Sequence, residues 1–149
     1  VLRSIPLATR PEARTVKKDD PVERSRDWFR QAERDLAHAR KATALGEFEW
    51  VCFAAQQAAE KAVKALHEAH GGHGRGHAIL KLLEDLEEVM VVPDRMKDAA
   101  RVLDLMYIPT RYPNGFDNGI PGDYFTTRDA ERAIEESHAL LEFVRPQIP

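Results

Sequence analysis

The sequence predicts an all-α protein, an up-and-down helical bundle of four main helices plus a short accessory helix. Three observations predict it. Apolar residues recur at intervals of three and four in five segments, no segment alternates with the period of two that strands require, and proline and glycine clusters separate the periodic runs. With 149 residues and a 43% apolar share, the chain is long enough for one domain around one core. The 22 basic and 25 acidic residues leave a formal net charge of -3, which excludes a global positive field and confines any polyanion site to a local patch. The single cysteine, Cys52, rules out an intramolecular disulfide, lies on an apolar helical stripe and fits a reducing, cytoplasmic setting. No apolar run reaches the roughly 20 residues of a membrane helix, so no membrane role is expected.

Residues 1–23 carry Pro6, Pro11 and Pro21 without sustained periodicity and read as a flexible N-terminal tail before a bundle domain over residues 24–149. The first helix runs from Ser25 to Leu45, with Trp28, Ala32, Leu36 and Ala39 on one face, Ser25 as N-cap and Gly46 at the C-terminal cap. The second, Glu47 to about His70, follows almost without a linker, which forces an antiparallel helical hairpin. Its stripe of Phe48, Val51, Cys52, Ala55, Ala59, Ala62, Val63 and Leu66 is rich in small residues that admit close neighbours, which places this helix at the centre of the bundle. Gln56, Gln57, Glu60, Lys61 and Lys64 form its polar face. Gly71, Gly72, Gly74 and Gly76 then give a flexible loop.

The third helix carries Ile79, Leu82, Leu83, Leu86, Val89 and Met90, with Glu84, Asp85, Glu87 and Glu88 on its wet side. Pro93 starts a fourth, with Met96, Ala99, Ala100, Leu103 and Met106 inward and an end near Tyr107. Residues 108–126 hold Pro109, Pro113, Pro121, Gly115, Gly119 and Gly122, a density that argues against helix, while Tyr112, Phe116, Tyr124 and Phe125 predict a loop packed against the bundle. The last helix begins at Thr126 or Thr127, buries Ala130, Ala133, Ile134, Ser137, Leu140, Leu141 and Val144, and stops at Pro146.

Arg111, Tyr112, Pro113 and Asn114 form the sharpest functional candidate, because a planar guanidinium suits phosphate and an adjacent tyrosine can stack on a base. The competing reading pairs Arg111 with a carboxylate and uses Tyr112 to plug the bundle end. Gln57, Lys61 and Lys64 offer donors to the same cleft, although Glu60 and Lys64 at i, i+4 also make an ordinary surface pair. Asp35 is the acid placed to pair with Arg111 or a lysine, unless it is simply solvated. His77, just after the glycines, either caps a helix or touches an anion at its N-terminus. His67, His70, His73 and His77 have spacings that suit a metal, yet the glycines beside them weaken a preorganised ligand set, and no metal or cofactor is expected.

Trp28 with Asp35-Leu36, the run from Ala54 to Leu66, His77 at the third helix, Thr110-Arg111-Tyr112-Pro113, and Asp129-Ala130 at the last helix together resemble the HEPN domain family over roughly residues 25–145. Five matched patches in the right order are more specific than any one. The resemblance implies a homodimer, nucleotide or RNA binding, and, in prokaryotes, a minimal nucleotidyltransferase as partner in a toxin–antitoxin-like pair. It also implies, for a large subset, metal-independent RNase activity carried by an arginine followed after four to six residues by a histidine. Here those positions after Arg111 are Phe116, Asp117 and Asn118, so the histidine is missing. Proton transfer at a 2′-hydroxyl near neutral pH suits an imidazole best, which leaves His77 as the other candidate. We therefore expect binding of a nucleotide or RNA phosphate near Arg111, Tyr112 and His77. RNA cleavage and a ligand-free protein-interaction module are the alternatives.

Overall fold

Helix α1 (Pro21–Ala44) and helix α2 (Phe48–Ala69) form the antiparallel hairpin that the short linker predicts. The computed structural model describes residues 20–149; the predicted tail over residues 1–19 lies outside the described residues. Helix α1 starts earlier than the spacing of its apolar residues suggests. Asp20 is the N-cap, its carboxylate accepting from the Val22 amide at 3.0 Å, and Pro21 occupies the first helical position, where a missing N–H costs nothing. Ser25 is consequently not a cap: it is buried one turn in and donates to the Val22 carbonyl at 2.7 Å. At the other end Gly46 adopts φ +71°, a left-handed conformation glycine reaches without strain, and the chain reverses there into α2.

Helix α2 is the axis of the molecule. It packs against α1 on one side and, on the others, against α3 (Ile79–Leu86), α4 (Asp94–Asp104) and the C-terminal helix. Alanines 55, 58, 59, 62 and 65 are fully buried along it, which lets these neighbours approach closely. Helix α3 has only two turns; Val89 and Met90, counted in its stripe, lie beyond its end, and Val89 is exposed. Pro93 precedes α4 as its N-cap residue.

The segment between α4 and the last helix is less irregular than its proline and glycine content suggests. It holds a 3-10 turn at Pro113–Gly115 and a one-turn helix, α5 (Pro121–Tyr124), each beginning on a proline. Prolines that forbid a helix interior are suited to a first turn. Phe116 stacks on Tyr124 with ring centres 4.2 Å apart, and Phe125 reaches the core, whereas Tyr112 and Tyr124 stay about half exposed. The segment thus packs on itself at Phe116 and Tyr124 and against the bundle through Phe125 and the buried Thr110 and Pro121. Helix α6 (Thr127–Val144) starts in a capping box between Thr126 and Asp129, and the Ser137 hydroxyl ties it to α2 by donating to the Ala55 carbonyl at 2.7 Å. Cys52 is fully buried, and its thiol is pushed up to about 12 by burial, with the carboxylates of Asp129 and Glu49 adding to the rise. It stays a neutral thiol at physiological pH and is no nucleophile.

The N-terminus of α3 is capped from outside the helix. The Asp104 carboxylate, at the end of α4, accepts from the amides of Ile79 at 2.7 Å and Leu80 at 3.1 Å. Burial raises the Asp104 carboxyl above the ordinary carboxylate range against the lowering pull of those two amides, and the charge of Glu60 adds to the rise. The native state therefore holds this proton more tightly than the unfolded chain. The contribution of Asp104 to stability is full below the ordinary carboxylate range and shrinks as pH rises through it. In urea unfolding, Asp104→Ala should cost about 1 to 2 kcal/mol at neutral pH. Asp104→Asn, which does not titrate, should gain relative to wild type as pH rises from about 3 to about 6.

Candidate functional site

The polar face assigned to α2 splits in two. Gln56, Glu60 and Lys64 are buried, while Gln57 and Lys61 remain partly open. Burial of a carboxylate and an ammonium in one stripe requires that they meet. Lys64 Nζ lies 3.4 Å from Glu60 Oε2, so this pair is an interior one and not the ordinary surface pair that its spacing suggests. Trp28 of α1 covers the ammonium at 5.6 Å from its ring centre. The glycine loop presses on the same side chain, since a Cβ at Gly74 would stand 2.9 Å from Lys64 Cγ.

The second oxygen of Glu60 is taken by His77, whose Nδ1 lies 2.9 Å away. Gln56 Nε2 donates to the His77 carbonyl at 3.2 Å and so holds the backbone of that residue in place. The imidazole stacks on Tyr107 with ring centres 4.6 Å apart and planes 20° apart. His77 does not cap α3, because Asp104 already does. The remaining histidines diverge: His67 bonds the Leu82 carbonyl, His73 bonds Glu68, and His70 is exposed. Among the described residues no group of three or more His, Cys, Asp or Glu converges on a metal position.

Arg111 reaches the same tyrosine from the other direction along the chain. Its Nε and Nη2 donate to the Tyr107 carbonyl at 2.9 and 2.7 Å, four residues back. Its guanidinium carbon sits 4.4 Å from the ring centre of Phe53, 4.5 Å from that of Tyr107 and 5.1 Å from that of Tyr112. An arginine so placed is held by π-faces and a carbonyl, none of which cancels its charge. Among the described residues no carboxylate pairs with it, and Tyr112, about half exposed, does not plug the bundle end. Asp35 instead pairs with Lys61, at 2.5 Å, and accepts from Gln31. Asn114 is exposed on the 3-10 turn.

Beside this cluster a hollow of about 660 Å³ opens between α1 and α2. Gln57, Lys61 and Asp35 line it, together with Gln31, Arg34, His38 and Lys41 of α1 and Trp50, Phe53 and Ala54 of α2. Phe53 joins the two features: one ring lines the hollow and also carries Arg111. Of the predicted residues, Gln57, Lys61 and Asp35 thus share the hollow; Arg111 and His77 both lie against Tyr107, with Tyr112 against Arg111; Lys64 is buried with Glu60. The residues missed are Phe53, Trp50 and Tyr107, with Arg34, His38 and Lys41 on α1. One signal was available, the spacing of four between Tyr107 and Arg111, which puts a carbonyl and a ring within reach of the guanidinium.

Fold and site together define a class of protein: an all-α bundle with a charged, buried central helix and a polar hollow along one side of it. The chain belongs to the HEPN domain family, whose model matches residues 25–147. Its structure is similar to that of TT1696 from Thermus thermophilus, with 47% identity, a TM-score of 0.81, and coverage of 83% of this chain and 97% of that one. It is also similar to ST0689, an archaeal HEPN homologue (41% identity, TM-score 0.72, 85% and 98% covered), and to the HEPN domain protein TM0613 from Thermotoga maritima (28%, 0.66, 81% and 96%). No protein of curated function matches the chain. No helix among the described residues is long and apolar enough to cross a membrane.

The two lysines of α2 should separate cleanly in urea unfolding. Glu60→Ala leaves Lys64 buried without a partner and should cost about 3 to 5 kcal/mol. Lys61→Gln, at the partly open Asp35 pair, should cost less than about 1 kcal/mol.

Proposed function

We propose that the protein binds a nucleotide or an RNA phosphate along the hollow between α1 and α2, with Arg111, Tyr112 and His77 at its edge. The observation that carries the reading is the state of Arg111. Its charge is held in place by three aromatic rings and one carbonyl, with no carboxylate to neutralise it, beside a hollow lined by Arg34, Lys41 and Lys61 against Asp35 alone. A guanidinium held this way keeps donors for an anion and is preorganised to use them. Trp50 and Phe53, nearly at right angles to each other with ring centres 6.2 Å apart, offer faces on which a base can stack. Gln57 supplies an amide for its polar edge.

A second reading, RNA cleavage, is favoured by the Glu60–His77 pair. A buried carboxylate holds one ring nitrogen and leaves the other directed away from it, the arrangement that proton exchange at a 2′-hydroxyl or leaving oxygen calls for. A homodimer and a nucleotidyltransferase partner, as in a toxin–antitoxin-like pair, belong to the same proposal. Exposed Trp50 and Tyr112 are residues of the kind that anchor protein interfaces, and co-purification with a neighbouring gene product is the measurement.

Thermal shift with a nucleotide panel tests the binding proposal. At ligand concentrations about 100 times Kd, binding contributes about 2.7 kcal/mol, which raises the unfolding midpoint by several degrees. The rise should vanish in Arg111→Ala; no rise with any nucleotide at millimolar concentration overturns the proposal. Incubation with structured RNA and tRNA separates the second reading, which requires 2′,3′-cyclic phosphate ends that disappear in Arg111→Ala. Intact RNA under excess protein excludes it.

A further inference from the structure

Two adjacent glutamines on α2 are locked in one order of donor and acceptor. Gln56 is fully buried and lies 3.2 Å from the His77 carbonyl, which can only accept, so the side-chain atom that faces it is the amide nitrogen Nε2. Its oxygen is then left for the next residue. Gln57 meets Gln56 Oε1 at 2.7 Å, and an acceptor in that place requires Gln57 to answer with its own Nε2. Reversing Gln57 alone would bring two carbonyl oxygens together, and reversing both would set Gln56 Oε1 against the His77 carbonyl. One backbone carbonyl thus orients both amides.

Gln57 lines the hollow between α1 and α2, and among the described residues no donor is bonded to its Oε1. What it has left to offer a ligand there is an acceptor. Trp50, Phe53 and Gln57 stand at i, i+3 and i+7 along α2 and all line the hollow, with Phe53 and Gln57 about 6 Å apart along the helix axis. A base resting on the aromatic rings therefore brings an edge to Gln57. An amide oxygen attracts an edge that carries N–H and repels one that presents only a carbonyl or a bare ring nitrogen. We infer that Gln57, positioned by Gln56, selects nucleotides whose base presents an exocyclic amine, as adenine and cytosine do. The inference rests on the binding proposal above and adds the residue that reads the base. Gln57 makes the contact, while Gln56, which is not among the residues lining the hollow, acts through it.

Calorimetric titration with matched 5′-monophosphates that differ only in the amine tests it: adenosine against purine riboside, and cytidine against 2-pyrimidone riboside. Wild type should bind the amine-bearing member about three- to tenfold tighter in at least one pair, as one hydrogen bond to a partly buried acceptor predicts. In Gln57→Met that ratio should fall to about one, because a thioether is only a weak acceptor. Gln56→Met releases Gln57 to turn, so the ratio should fall there too with Gln57 intact, a change that lost packing alone does not produce. Equal binding within both pairs in wild type, tighter binding of the members without the amine, or a ratio that persists in Gln57→Met or in folded Gln56→Met overturns the inference while the binding proposal stands. Gln57→Met, at a partly open position, carries the test alone if Gln56→Met does not fold. No binding of any of the four compounds to wild type at millimolar concentration removes the nucleotide site itself.

Discussion

A carboxylate inside the bundle governs the arrangement of this molecule. Helix α2 packs against four other helices, and the buried face of such a helix is ordinarily apolar, yet this one carries Gln56, Glu60 and Lys64 into the interior. An ionised group there persists only if both of its oxygens are answered. Lys64 answers one and His77 the other, and each partner recruits further structure: Trp28 and Gly74 close over the lysine, Gln56 and Tyr107 fix the histidine. The loop after α2, the start of α3 and the end of α4 are therefore brought together by one buried charge.

That convergence explains why Arg111 ends where it does. Tyr107, stacked on His77, is anchored by the α2 network, and Arg111 follows it by a single turn, donating to its carbonyl and lying over its ring. The guanidinium reaches Phe53 of α2 and Tyr112 within the same turn, so aromatic surface takes the place that a carboxylate usually holds beside an arginine. Cation–π contact orients the group without cancelling its field. The result is a fixed positive charge at the rim of a hollow, produced by packing that begins with Glu60 far earlier in the chain.

Much of the bundle was legible because it rests on local periodicity and local caps. The stripes of α1, α2, α4 and α6, the turn at Gly46 and the Thr126 cap all appear in the structure near their expected positions. Proline hides several element boundaries. Pro21, Pro113 and Pro121 each begin a helical turn, so α1 starts ahead of its apolar stripe and α5 lies in a segment whose composition argues against helix. The site was legible in part. Arg111 lies against Tyr112 and shares the ring of Tyr107 with His77, and Gln57, Lys61 and Asp35 line one hollow. The fate of Glu60 and Lys64 was hidden, because amphipathic spacing tells which residues could face water and not whether a loop later covers them. Caps supplied across the fold, such as Asp104 on α3, leave no local pattern at all.

The basic residues near the hollow divide by whether the protein has already used their charge. Lys64 is committed to Glu60 and Lys61 to Asp35. Arg34 and Lys41 on α1 are exposed without a carboxylate partner among the described residues, and Arg111 is held by rings. An anion entering the hollow from solvent therefore meets charges supplied by the α1 wall and by the arginine at its edge, while Lys61 ties α2 to α1 through Asp35 and Lys64 is paired within α2. The division places electrostatic attraction at the rim, where water screens it, and rigidity beneath, where a charge without a partner would be too costly to keep. A chain with only a slight negative net charge can thus carry a local anion-attracting face, because Arg34 and Lys41 stand beside the hollow while Asp35, the one acid that lines it, is paired with Lys61.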